Sequence, residues 1–125
     1  MTPGLLLWTL APGLVWAHWL YKRDVFEPEP IVLVIRAFVL GMLIVIPAGH
    51  LNTSAMEAGW LYASDNEWII DLKRSFLVVA PIEEGLKFAT VYLFFFRHKE
   101  FDEPIDGLIY TGTVALGFAS AENAY

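Results

Sequence analysis

Four apolar runs, each close to the length that crosses a bilayer as a helix, divide this chain into spans joined by short polar links. They cover residues 4–21, 31–49, 72–96 and 107–125. A membrane-crossing helix needs about 20 predominantly apolar residues, so four such runs leave little chain for anything else. Composition agrees: 57% of residues are apolar and 18% charged, against about 45–50% and about a quarter in soluble domains. The charges also cluster in the links. The expected fold is therefore all-α, a polytopic transmembrane bundle of about four spans forming a single membrane domain over residues 1–125. The net charge of −6 offers no basic face to nucleic acid. The absence of cysteine excludes disulfide and thiolate chemistry.

The first run has no charged side chain before Lys22 and is bulky from Trp16 to Trp19, unlike a cleavable signal peptide, so it reads as a retained helix. Its Pro12-Gly13 pair is tolerable inside a membrane helix when neighbours satisfy the freed carbonyl. Pro28 and Pro30 close the first link and favour an extended entry to the second run. Arg36, five residues into that run, is expected to snorkel back to the headgroups. The second link, residues 50–71, carries Trp60, Tyr62 and Trp68 as an interfacial aromatic belt. Its Asn52-Thr53-Ser54 triplet, set against the glycosylation pattern, is nearly uninformative at three residues. Cations concentrate in the first link (Lys22, Arg23) and the third (Arg97, Lys99). The positive-inside rule then puts both links in the cytoplasm and the N-terminus outside. The last run ends without a charged flank, directly after Glu122-Asn123; the expectation is that the sequence is cut there and further helices follow.

The third run contains three residues that a lipid-facing helix should not have: Glu83, Glu84 and Lys87. Each charge near mid-membrane costs roughly 2.5–3.5 kcal/mol on insertion scales, so such residues face the bundle interior or water and mark a functional site by default. Lys87 lies four residues after Glu83 and three after Glu84, within pairing distance of either on a helix. Adjacent glutamates point about 100° apart: one can pair with Lys87 while the other faces a cavity as a general base. A purely structural ion pair explains one glutamate, not two. Pro81, just before the pair, removes a backbone donor and should open the helix locally.

The fourth run supplies a partner. Glu122 lies about 24 Å along a helix from Asp106, and Glu83 about 21 Å from Arg97, so the two carboxylates fall at similar depth on antiparallel neighbours. Gly112, Thr113, Gly117, Ala119, Ser120 and Ala121 are small enough to let these two helices approach closely. Three carboxylates, an amide (Asn123) and a lysine at one depth suit a hard cation, zinc, or a proton path. His18, His50 and His98 sit at the ends of runs and read as interfacial rather than as ligands.

Four stretches resemble the PrsW-type intramembrane metalloproteases, relatives of the CAAX-prenyl endopeptidases and bacteriocin-processing membrane proteins. They are residues 23–30 (Arg-Asp-Val-Phe-Glu-Pro-Glu-Pro), 83–87 (Glu-Glu-Gly-Leu-Lys), 101–110 (Phe-Asp-Glu-Pro-Ile-Asp-Gly-Leu-Ile-Tyr) and 117–123 (Gly-Phe-Ala-Ser-Ala-Glu-Asn). They occur in the family's order. The resemblance implies a zinc-dependent endopeptidase in a prokaryotic cell membrane, making a site-1-type cut in a membrane-anchored regulator such as an anti-sigma factor. By the same resemblance Glu83 is the water-activating base, Glu84 its companion and Lys87 their charge partner. Phe118 and Glu122 are similar in spacing to the Phe-x-x-x-His ligand motif of the wider superfamily, with glutamate in the histidine position, and Asn123 is an accessory polar group. The remaining histidine ligands are expected on helices beyond this sequence. Two other classes stay open on the residues alone. One is a proton- or cation-coupled transporter, for which buried carboxylates and a lysine are equally apt; the other is a non-catalytic membrane scaffold.

Overall fold

The computed structural model describes residues 3–25, 27–59 and 66–124. Trp60 and Tyr62 of the expected aromatic belt lie outside these; Trp68 is described and exposed. Every regular element among the described residues is helical: α1 (Pro3–Tyr21), α2 (Ile31–Leu43), α3 (Val45–Glu57), α4 (Glu67–Lys73), a π-helical turn (Arg74–Val79), α5 (Ala80–Phe94) and α6 (Pro104–Glu122).

Two boundaries differ from the sequence expectation in ways that matter for the site. The second apolar run does not stop at residue 49. It bends at Ile44 (φ −71°, ψ −9°) and continues as α3 to Glu57. The bend has a local cause: Pro47 has no N–H to offer the carbonyl of Leu43, one turn back. Gly59, at φ 77°, follows the C-terminal end, a backbone conformation for which glycine carries no steric cost. His50 and Asn52, expected in a link, are therefore helical. The third run begins at Glu67 rather than Leu72, and it opens before Pro81 as expected, in the form of the π-helical turn. There the Ala80 N–H bonds back to the Ser75 carbonyl, a five-residue step that Pro81, lacking an N–H of its own, helps to accommodate.

By length and composition together, one helical stretch among the described residues, Ile31–Glu57, is long and apolar enough to cross a membrane by itself. The four-span expectation thus has one unambiguous member here. The continuous helical run 67–94 carries its own charges, and α6 is diluted by Gly, Thr and Ser.

The core forms where α2, α5 and α6 meet, around Leu33, Ala37, Val91, Phe95, Tyr110 and Val114. Phe95 stacks on Tyr110 with ring centroids 4.6 Å apart. The small residues of α6 act differently from expectation: they bring α6 against α2 and α1, not chiefly against α5. A Cβ on Gly117 would stand 2.1 Å from the Phe38 carbonyl oxygen, and one on Gly41 equally close to that of Val114. Gly13 makes the corresponding room for Ser120, and Gly112 for Leu20. The reason is geometric: bulky Tyr110 and Phe118 of α6 meet Phe95 at the end of α5 and Lys87 of α5, which leaves close backbone approach to the other sides.

The candidate functional site

The third run's ionisable residues sort themselves by side of α5. Lys87 Nζ bonds Glu84 Oε1 at 2.8 Å, choosing the carboxylate three residues back over the one four residues back. It lies 4.2 Å above the centroid of the Phe118 ring, an aromatic face that attracts a cation. The lysine side chain is 14% exposed and the Glu84 side chain 70% exposed, so the pair runs from the α5–α6 interface outward. Glu83 points elsewhere. It is half-buried, and its Oε1 accepts a hydrogen bond of 3.2 Å from Nδ2 of Asn52 on α3.

Glu122, at the end of α6, lies close enough to Glu83 and Lys87 for both charges to act on its carboxyl. Glu83 and Lys87 of α5 thus both act on the charge of Glu122 of α6, while Glu84, bound to Lys87, is turned outward. Asn123 caps α6, is exposed, and uses its backbone N–H on Ala119 and Ala121. Glu122 also lines a cavity of about 430 Å³ with Val45, Ile46, Gly49, His50 and Thr53 of α3. His50 thus shares this cavity with a site residue instead of lying apart from it, a consequence of α3 continuing past residue 49. His18 lines a separate apolar cavity between α1 and α2, and exposed His98 accepts a weak bond from the Glu100 N–H. Arg36 is exposed on α2.

A second acidic group lies at the opposite end of α6. Asp24 and Glu29 of the first link meet Asp106 of the first turn of α6, with one carboxylate oxygen from each within 4.8 Å of the others. Their residues are 6%, 3% and 1% exposed. Asp106 Oδ2 accepts the N–H groups of Asp102 and Glu103 at 3.0 and 2.6 Å, and Asp24 Oδ2 accepts that of Glu29 at 3.1 Å. The buried Tyr110 hydroxyl donates to Glu29 Oε2. Burial, above all, and then Asp106 and Asp24 push the Glu29 carboxyl up to about 7, against the hydrogen bond from Tyr110, which pulls it down. The sequence reading gave these residues no role. The available signal was Glu29 locked between two prolines, and Asp106 in the first turn of an apolar helix.

The donor sets decide which end could hold a metal. A catalytic zinc takes about three protein ligands and a water. Asp24, Glu29 and Asp106 are the one described group of three that could share a cation, and one oxygen of each accepts a hydrogen bond from within the protein. At the other end Glu122 offers one carboxylate beside the cavity, fitting part of a ligand set and short of a whole one.

An all-helical protein with one helical stretch long and apolar enough to cross a membrane, and ionisable residues on the helices packed beside it, suits the class of integral membrane proteins. More particularly, residues 29–125 match the family model described as PrsW family intramembrane metalloprotease, and the chain belongs to that family. It is similar to Protease PrsW of Geobacillus kaustophilus (37% identity over 91% of this chain and 48% of the relative). It is also similar to Protease PrsW of Bacillus subtilis (32%, 91% and 49%) and of Clostridioides difficile (30%, 98% and 50%). The chain spans about half the length of these relatives. No solved structure matches it.

Proposed function

We propose that this chain is part of an intramembrane metal-dependent endopeptidase that cuts membrane-anchored proteins, with Glu83 as general base. The observation that carries this reading is geometric: Lys87 of α5 lies over Phe118, one turn before Glu122 on α6, Glu83 shares the α5 turn that holds Lys87, and Glu122 lines a cavity bounded by α3. Glu83 is the carboxylate not committed to the lysine, which suits it to take a proton from water as the water oxygen attacks the scissile carbonyl carbon. The proton then passes to the leaving amine nitrogen as the C–N bond breaks. Lys87 and Glu84 set the charge around this step. Glu122 is the proposed metal ligand, zinc the proposed metal and Asn123 an accessory polar group; the further ligands would come from outside these 125 residues. When bound, such a metal lowers the pKa of its water and polarises the carbonyl.

The proposed setting is a multi-pass bundle in a prokaryotic cell membrane, with four spans, the N-terminus outside and the first and third links in the cytoplasm. Two features support it. Leu7, Trp8, Val32, Phe88 and Leu93 present large apolar side chains outward, as lipid contact requires. Glu29 of the first link also meets Tyr110 beside the third, so the two cation-bearing links share one end of the bundle. By family resemblance, the proposed substrate is a membrane-bound regulator such as an anti-sigma factor.

The test uses the intact protein in lipid vesicles with a membrane-anchored reporter. Cleavage should occur, stop with a chelator, return with zinc and be absent from Glu83→Gln. Proton or cation flux without peptide cleavage would replace this reading with a transporter.

A further inference from the structure

Asn52 belongs to a triplet whose sequence pattern suggested nothing useful, and the fold gives it a specific neighbour. The bend at Ile44 carries α3 alongside α5, and Asn52 is the residue of the triplet that reaches Glu83. Thr53 spends its hydroxyl on the Gly49 carbonyl of its own helix. The amide has one orientation compatible with an ionised Glu83. Its NH₂ must face Oε1, because reversing the amide would set two acceptors against each other. In that orientation Oδ1 is buried and has no hydrogen-bond partner among the described residues. A buried acceptor without a donor costs free energy. A side chain retained only for helix packing gains nothing from this arrangement, since an apolar residue of similar size would fill the space without the orphan oxygen.

We propose that Asn52 is a positioning residue for the general base: through Nδ2 it fixes the rotamer and plane of the Glu83 carboxylate. The proposal rests on the assignment of Glu83 as base. Tethering Oε1 to a neighbouring helix restricts the side chain to one placement, and catalytic geometry is sensitive to displacements of about 1 Å.

The experiment compares wild type, Asn52→Leu, Asn52→Asp, Glu83→Gln and the Asn52→Leu/Glu83→Gln double variant, as intact protein in vesicles. Asn52→Leu should lower kcat by roughly 10- to 100-fold, as loss of a supporting hydrogen bond to a site residue does, with KM nearly unchanged. Its thermal midpoint should stay level or rise, because the orphan acceptor is gone. Asn52→Asp, which replaces the donor with a second carboxylate, should lose at least as much kcat. Adding Asn52→Leu to Glu83→Gln should cost no further activity. Independently of turnover, the infrared difference spectrum between wild type and Asn52→Leu should show a shifted carboxylate stretch that vanishes in the Glu83→Gln background. Wild-type kcat in Asn52→Leu with an inactive Glu83→Gln overturns the positioning role alone, as does a missing carboxylate shift. A fall in the thermal midpoint matching the loss of activity reduces Asn52 to packing. Wild-type cleavage by Glu83→Gln instead removes the assignment of the base, and this proposal with it.

Discussion

The two ends of α6 each gather carboxylates, and they are built on opposite plans. At the link end, Asp24, Glu29 and Asp106 are almost wholly buried, and each accepts a hydrogen bond from the protein. At the other end, Glu83 is half-buried, Glu122 is exposed and lines a cavity, and Asn52 Oδ1 is buried with no partner among the described residues. A cluster buried this deeply and bonded to its own backbone and to Tyr110 uses those hydrogen bonds to hold the fold together. An open, incompletely satisfied one has capacity left for substrate, water or metal. Acidity by itself distinguishes nothing here; the state of the hydrogen bonds does.

The comparison breaks most sharply on Glu83. Glu83→Gln keeps size and hydrogen-bonding capacity but cannot accept the water's proton. Cleavage of a membrane-anchored reporter should fall by about 10²- to 10⁴-fold, with insertion and abundance unchanged on an immunoblot. A loss of abundance of the same size would make the open end structural after all.

The converse holds at the closed end. Asp106→Ala strips the acceptor from the Asp102 and Glu103 N–H groups and opens the first turn of α6. Denaturation in mild detergent should show a loss of about 1–3 kcal/mol, the cost of leaving buried donors unpaired. Activity per folded molecule should be retained. Activity falling while stability holds would move the functional site to the link end.

The same cluster should respond to pH. The folded-state carboxyl of Glu29 titrates at about 7, above its ordinary 4.5, so the native protein holds this proton after the unfolded chain has released it. The resulting stabilisation is complete below about 4.5 and is lost as pH rises through about 7. Thermal midpoints measured between pH 5 and 8 should decline through that window, and Glu29→Gln should flatten the decline. A slope unaffected by Glu29→Gln would assign it to another group.

The smallest effect is expected at Glu84. Its side chain is 70% exposed, and its role is to pair Lys87 rather than to transfer a proton. Glu84→Gln should lower cleavage by less than about tenfold, in keeping with the modest worth of an exposed pair. A loss equal to that of Glu83→Gln would mean that both carboxylates handle the proton.

Much of the helical layout can be read directly from the sequence, because apolar runs of this length between charged links have few alternatives to helix. Glu83, Glu84 and Lys87 announce themselves by the cost of charge in an apolar run, and Pro81 announces the π-helical turn by its missing donor. Asn52 was not legible, since an asparagine near the expected end of a run looks like any link residue. Its role depends on α3 continuing beyond the bend that Pro47 imposes. The Glu29–Tyr110 contact joins residues 81 apart, and no local pattern reports it. The close approach of α6 to α2 through Gly117 and Gly41 was also hidden: small residues permit contact on any side, and the partner is chosen by which sides the aromatic rings already occupy.

The sequence by itself determined the helices, the family and which third-run residues are too costly to be ornamental, because propensity, hydropathy and charge act over a few neighbouring residues. Only the tertiary structure decided that Lys87 takes Glu84 and leaves Glu83 unpaired with it, that Asn52 bonds Glu83, and that the other acidic group is buried. Those outcomes turn on distances between segments remote in the chain, where burial and hydrogen-bond satisfaction are shared across helices.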